Sequence, residues 1–213
     1  MTGWINQPFP HDENLQAFED EGNILVAVVD KTYGRSEDDE WERDREQFRL
    51  ALENEFGQRF EDGNIGPGAD LPAFLTLLKA TTEVPNWIWI AALFFAGKPI
   101  QDGLEAWPKL AARLRPLLRI PAYLNRQGAA LIAVEAITAE LGAEPPSLQL
   151  LSYRLLHAGD LASLQEMQRS SEIAPAPATL YLGFVRHVFE IDAGGCIFRV
   201  EVEGTNSQTL RLS

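Results

Sequence analysis

The chain has 213 residues, 46% of them hydrophobic and 23% charged, which is the composition of a globular rather than a disordered protein. Its formal net charge of −13 argues against binding to duplex nucleic acid, which requires a basic surface. The single cysteine, Cys196, excludes an intramolecular disulfide and favours a cytoplasmic location.

The first predicted strand covers residues 23–30, where NILVAVVD is apolar at nearly every position, as in the buried centre of a sheet. Residues 1–22 before it form a predicted N-terminal arm. A helix is predicted to start at Ser36, a suitable N-cap, and to run to about Phe56, where Gly57 ends it.

The next two segments are predicted as a loop and a second helix. Residues 61–70, EDGNIGPGAD, carry the glycine, proline and aspartate of a loop. Residues 71–80, LPAFLTLLKA, follow Asp70, which suits an N-cap, and Pro72 is acceptable in a first helical turn.

The most hydrophobic stretch is VPNWIWIAALFFAGKPI, residues 84–100. Its uninterrupted apolar part, Trp87 to Gly97, is too short for a membrane span, which needs about 20 residues. A strand or a helix here would be apolar on every side, so the segment must lie in the core or be covered by a partner. A helix is slightly favoured, and with 71–80 it would form an apolar helical hairpin.

The following segments complete an α+β pattern. An amphipathic helix is predicted within 98–119, bent or broken by Pro108 and Pro116, and another helix precedes Gly142 as C-cap. A strand over 147–157, a short helix over 160–168 and three antiparallel strands in 179–213 follow. In the second of these three strands, Cys196, Phe198, Val200 and Val202 are predicted to share the buried face.

These elements predict an α+β protein with one strand near the N-terminus, several central helices and a C-terminal antiparallel β meander. Beyond the arm, residues 23–213 are predicted to form a single domain. Its first part, 36–142, is rich in helices and its second part, 147–213, is rich in strands.

Negative charge is concentrated in residues 11–62, which hold 17 acidic and 6 basic side chains. Aromatic anchors with a charged rim are typical of protein interfaces, so we predict a non-enzymatic interaction module, such as an adaptor or an immunity- or inhibitor-like protein. The predicted partner is another protein, for which a basic surface and a second copy of this chain are both open alternatives. The predicted partner-binding residues are Glu37, Asp38, Asp39, Glu40, Trp41, Trp87 and Trp89.

Two alternative functions stay open. A hydrolase site could be assembled from His157, Asp160, His187 and Cys196, although alternation places Cys196 among buried apolar residues. A membrane-associated accessory protein could insert the apolar segment 71–97. The sequence contains no motif that predicts a catalytic residue, a cofactor or a metal site.

Overall fold

The computed structural model describes residues 22–35, 38–65, 71–157 and 185–213. These residues form two four-stranded antiparallel sheets and five α-helices, which confirms the predicted α+β class and the C-terminal meander. The elements are β1 (Ile24–Val29), α1 (Asp38–Phe56), β2 (Glu61–Ile65), β3 (Leu71–Leu78), α2 (Ala80–Glu83), α3 (Trp87–Phe95), α4 (Ala106–Leu114), a 3₁₀ turn (Arg115–Arg119), β4 (Ala122–Leu124), α5 (Arg126–Leu141), β5 (Leu148–His157), β6 (Val185–Ala193), β7 (Cys196–Glu203) and β8 (Asn206–Arg211).

The first sheet, sheet A, has the strand order β2-β3-β1-β4. Strand β1 lies between β3 and β4, and all six of its residues are buried. A strand that is covered on both faces has no side for polar residues, which explains its continuous apolar sequence. The predicted central strand is therefore confirmed.

Two predictions for residues 61–80 are wrong. The predicted helix over 71–80 is strand β3, which pairs with β1 on one side and β2 on the other. Leucine and alanine favour helices in isolation, but strand pairing and burial override that local preference. Part of the predicted loop forms β2, where Gly63 allows close packing because a Cβ there would lie 2.6 Å from Leu75 Cδ1. The apolar helical hairpin is wrong for the same reason, since its first half is a strand.

The predicted amphipathic helix within 98–119 is shorter than the hydrophobic pattern suggests. Ile100 pairs with Leu148 in an isolated bridge, and the α-helix begins only at Ala106. Pro108 lies in the first turn of α4, where no intrahelical donor is lost, and the chain tightens into the 3₁₀ turn after Leu114.

The second sheet, sheet B, is the predicted meander with the order β5-β6-β7-β8. Gly194 and Gly195 form the two-residue turn between β6 and β7, and both have positive φ, as a tight hairpin requires. On β7, Phe198, Val200 and Val202 are fully buried and Cys196 is partly buried, so the predicted inner row is confirmed.

Helix α5 lies between the two sheets and packs against β1 and β4 on one side and against β6, β7 and β8 on the other. Asn125 caps its start: the side-chain carbonyl accepts the Gly128 N–H at 3.2 Å, and the amide donates to the Asn23 carbonyl at 2.9 Å. Gly142 ends the helix in the left-handed conformation, as predicted. The core is continuous from Phe74 in sheet A to Phe189 in sheet B.

A second link between the sheets is polar. The buried His187 on β6 has Nε2 3.2 Å from the Leu124 carbonyl of sheet A and Nδ1 3.0 Å from the Tyr153 hydroxyl on β5. Because a carbonyl can only accept, Nε2 carries a proton and donates to the Leu124 carbonyl. Through these two contacts the imidazole holds β4 against sheet B.

The outer face of sheet B carries an ion pair whose protonation should affect stability. The hydrogen bond from Arg199 holds the pKa of Glu190 below its ordinary value, against the effect of burial, and a hydrogen bond from Ser152 adds to the lowering. Because the folded-state pKa is lowered, this carboxylate stabilises the fold above about pH 4.5, and the contribution is lost as pH falls through the lowered value. We expect Arg199→Gln to raise the pKa of Glu190 more than Ser152→Ala does, as measured by NMR titration of the side-chain carboxyl carbon. Equal shifts in both variants would contradict this order of causes.

Candidate interaction surface

Helix α3, the most hydrophobic element of the sequence, has one face in the core and one face in solvent. Its buried residues are Trp87, Ile90, Ala91 and Phe94, which follow the spacing of one helical face. The helix prediction for this segment is confirmed. The sequence left open whether this segment lies in the core or on a surface covered by a partner. In the structure, one face of the helix lies in the core and the opposite face is exposed.

The inner face of α3 is anchored by Trp87, which has no exposed surface. Its indole Nε1 donates to the Gly22 carbonyl at 2.8 Å, and its ring packs edge-on against Trp107 with centroids 4.9 Å apart. Phe94 packs against the same Trp107 ring. Trp87 is therefore a core residue, and its predicted role in binding a partner is corrected.

The outer face of α3 consists of Ile88, Trp89, Ala92 and Leu93, all of them exposed. The exposed fractions are 73% for Trp89, 46% for Leu93 and 37% for Ile88. Single exposed apolar residues are common on soluble proteins, but a tryptophan, a leucine and an isoleucine on one helical face form a contiguous patch of the kind found in interaction sites. We call Ile88, Trp89, Ala92 and Leu93 the α3 outer patch.

Of the acidic residues predicted to bind a partner, those that the structure describes lie at the start of α1. Glu37 lies outside the described residues, and Asp38 and Asp39 lie in the first turn of the helix. Glu40 is exposed to solvent. Further along the same helix, Arg49 bonds to Glu46 at 2.6 Å, and that hydrogen bond is the main cause of the lowered pKa of Glu46.

Trp41 is partly buried and bonds to the interior of the protein. Its Nε1 donates to Oδ2 of Asp30 at 3.3 Å, while Oδ1 accepts the Thr32 N–H at 2.9 Å and the Thr32 hydroxyl at 2.6 Å. Arg45 lies 3.5 Å from the same carboxylate and reaches Asp62 at 2.9 Å. This network, the Asp30 cluster, joins the end of β1 to α1, so the side chain of Trp41 helps to hold the fold.

The structure describes three residues of the alternative hydrolase site and separates His187 from Cys196. His187 lies opposite Val202 on β7, whereas Cys196 begins that strand six positions away, roughly 20 Å at the usual rise per residue. His187 is held by Tyr153 and the Leu124 carbonyl, and Cys196 Sγ accepts a hydrogen bond from Arg211. His157 pairs with Val185, two ladder positions from the pair of Leu155 and His187, and Asp160 lies outside the described residues.

Within the parts of the chain that the structure describes, no group of three or more histidine, cysteine, aspartate or glutamate side chains could hold a metal ion. Within the same parts, none of the helices has the length and apolar character needed to cross a membrane. Segment 71–97, considered above for insertion, begins with the interior strand β3, and the α3 outer patch is an exposed apolar helical face within it.

Comparison of the chain with protein-family models, with curated proteins and with solved structures found no match. The interaction surface therefore rests on its geometry. The sequence pointed to Trp89, but the contribution of Ile88 and Leu93 became visible only when the orientation of α3 was known.

Proposed function

We propose that the protein is a non-enzymatic interaction module that binds another protein through the α3 outer patch. The observation that carries the proposal is Trp89, 73% exposed on a helix whose opposite face is in the core. Tryptophan is enriched among the residues that dominate binding energies, because it removes a large apolar area from water at a small cost in side-chain entropy.

The rigid attachment of the patch supports the proposal. The inner face of α3 is fixed by Trp87, Phe94 and the packing of Trp107, so the outer side chains are presented on a helix that does not have to order on binding. Preorganisation reduces the entropic cost of association. A protein groove that accepts one apolar helical face is a recognised mode of binding for such an element.

The charge of the chain indicates the chemistry of the partner. With a net charge of −13, the protein attracts basic surfaces and repels acidic ones. We therefore propose a partner with an apolar groove bordered by lysine or arginine side chains. We place the module in the cytoplasm, on the ground that its single cysteine leaves no intramolecular disulfide.

The test compares two exposed apolar residues on different helices. Trp89→Glu alters the α3 outer patch, and Leu50→Glu is a matched control, because Leu50 is 46% exposed on α1. In affinity purification from native lysate, a genuine partner is retained by the wild type and by Leu50→Glu and is lost with Trp89→Glu. With the purified partner, Trp89→Ala should weaken binding by at least about 30-fold, the effect of losing an interface tryptophan.

Two results would overturn the proposal. Recovery of the same proteins by Trp89→Glu and by the wild type would show that the patch binds none of them. Flotation of the wild type with lipid vesicles, abolished by Trp89→Glu but not by Leu50→Glu, would assign the patch to a membrane surface instead.

A further inference from the structure

Three of the four sheet edges in the described residues carry features that block pairing with another strand. Strand β2 has Glu61 and Asp62 exposed at the edge of sheet A, and β4 at the other edge is only three residues long. Strand β5, at one edge of sheet B, has a register shift between Leu150 and Ser152. Charged residues, short strands and bulges are the usual means by which proteins protect sheet edges.

Strand β8, at the other edge of sheet B, has none of these features within Asn206–Arg211. The ladder becomes irregular only after the strand, where Leu212 and Ser213 both bond to Ile197. The six residues of β8, NSQTLR, include no proline, lysine or acidic residue, and its register with β7 is continuous from Asn206 to Arg211. Five of the six residues of β8 are exposed to solvent, and only Thr209 is partly buried. The one charged side chain, Arg211, is directed to the Phe198 ring and the Cys196 sulfur.

The hydrogen-bonding groups at the free edge can be assigned from the ladder. Leu212 donates its N–H to Ile197 on β7. Hydrogen-bonded and non-hydrogen-bonded pairs alternate along an antiparallel ladder, so the even-numbered residues of β8 bond to β7. The N–H and C=O groups of Ser207, Thr209 and Arg211 therefore point away from the sheet, available to another strand.

We propose that β8 pairs in antiparallel fashion with β8 of a second copy of this chain, with Leu210 on the twofold axis. In this register, Thr209 lies opposite Arg211 of the other copy. The outward-pointing backbone N–H and C=O groups of these two residues form two hydrogen bonds with each other. Leu210 faces its own counterpart in a non-hydrogen-bonded pair, where side chains are closest. A register centred on Arg211 would instead place two like charges opposite each other.

The side chains on the outer face fit this register. Leu210 and Leu212 are 43% and 46% exposed, beside the partly buried Ile197 of β7. Pairing around Leu210 brings the leucines of the two copies into one apolar cluster. Registers centred on Gln208 or Thr209 would place Leu210 opposite a polar side chain, so of these three registers the one centred on Leu210 covers the most apolar surface.

The proposed β8–β8 contact buries a small area, so the affinity of the dimer should be low. Two six-residue strands and four leucines bury less than the roughly 1,200 Å² of a standard stable interface, so the dimer should be weak and depend on concentration. Two copies with a net charge of −13 each repel one another, and added salt screens that repulsion. Association should therefore increase with salt concentration.

The first test is sedimentation equilibrium of the full chain over a range of protein and salt concentrations. Thr209→Pro removes an N–H that faces the free edge and leaves the bonds to β7 in place, and Leu210→Lys puts two like charges on the axis. We expect both variants to be monomeric, whereas Leu50→Lys, with the same net charge on α1, should dimerise like the wild type. Circular dichroism and a thermal melt of each variant establish that it is folded.

The second test determines the register by oxidative crosslinking. Leu210→Cys should form a disulfide-linked dimer, because the two β-carbons face each other on the axis. Gln208→Cys alone should not, but an equal mixture of Gln208→Cys and Leu212→Cys should give the mixed dimer. The wild type, with Cys196 alone, is the control for background oxidation.

Three outcomes would overturn the proposal. The wild type could remain monomeric at every concentration, or its dimer could persist in both Thr209→Pro and Leu210→Lys. A dimer that is lost with Trp89→Glu and kept with Leu210→Lys would place the contact on the α3 outer patch. Because the two sets of variants lie on different elements, failure of this proposal is distinct from failure of the proposed function.

Discussion

Replacing Trp87 by alanine should lower the free energy of unfolding by about 3–5 kcal/mol, the usual cost of truncating a fully buried tryptophan. The substitution would leave a cavity beside Trp107 and would remove the donor to the Gly22 carbonyl. The same substitution at Trp89 should change stability by about 0.5 kcal/mol or less, because that side chain is 73% exposed. Urea unfolding followed by circular dichroism measures both values.

Trp87→Phe separates the two contributions at this position. Trp87→Phe keeps most of the ring volume but removes the indole N–H. It should therefore lower the free energy of unfolding by about 1–3 kcal/mol, less than Trp87→Ala does. Similar losses for Trp87→Ala and Trp89→Ala would contradict the assignment of opposite faces to α3, and with it the geometry of the α3 outer patch.

Asp30→Asn should destabilise the protein by about 2–4 kcal/mol. Both carboxylate oxygens act as acceptors, Oδ1 for two donors of Thr32 and Oδ2 for the Trp41 indole. Arg45 Nε lies 3.5 Å from Oδ2 as an ion pair. An asparagine amide has only one acceptor oxygen. Its NH₂ group would therefore face either the Thr32 donors or the Trp41 indole N–H, and those donors would lose their acceptor. Arg45 would also lose the charge of its buried partner.

Asp62→Asn is the matched control, because Asp62 contacts the same guanidinium at 2.9 Å but its side chain is 61% exposed. Exposed ion pairs contribute about 0–1 kcal/mol, so the control should be nearly neutral even though its contact is shorter than the 3.5 Å contact to Asp30. Urea unfolding curves of the two variants test this difference. A larger loss for Asp62→Asn would show that contact distance rather than burial determines the energy of the Asp30 cluster.

Much of the fold could be predicted because periodicity and turn residues agreed with burial. The alternation on β7, the glycines at 194 and 195 and the caps of α5 each identified their element correctly. Strand β3 could not be identified, since leucine-rich segments suit a helix or a buried strand equally, and only its pairing with β1 and β2 decides between them. Strand β2 was missed because its residues are typical of turns.

The candidate surface was only partly predictable for a related reason. A helix with apolar residues on both faces contains no hydrophobic pattern that tells the inner face from the outer one. Trp87 and Trp89 are therefore equivalent in the sequence, although one is fully buried and the other is mostly exposed. Their difference arises from the position of Trp107 and Gly22, which the local sequence does not specify.

The position of β1 has a consequence for synthesis on the ribosome. Its edge partner β4 and the bond from Asn125 to the Asn23 carbonyl lie about a hundred residues further along the chain. At 5–20 residues per second, that separation corresponds to roughly 5–20 s during which β1 cannot complete its pairing. During that time, the six consecutive apolar residues of β1 have no β4 to pair with. We therefore expect chaperone binding or aggregation of the nascent protein to begin at β1.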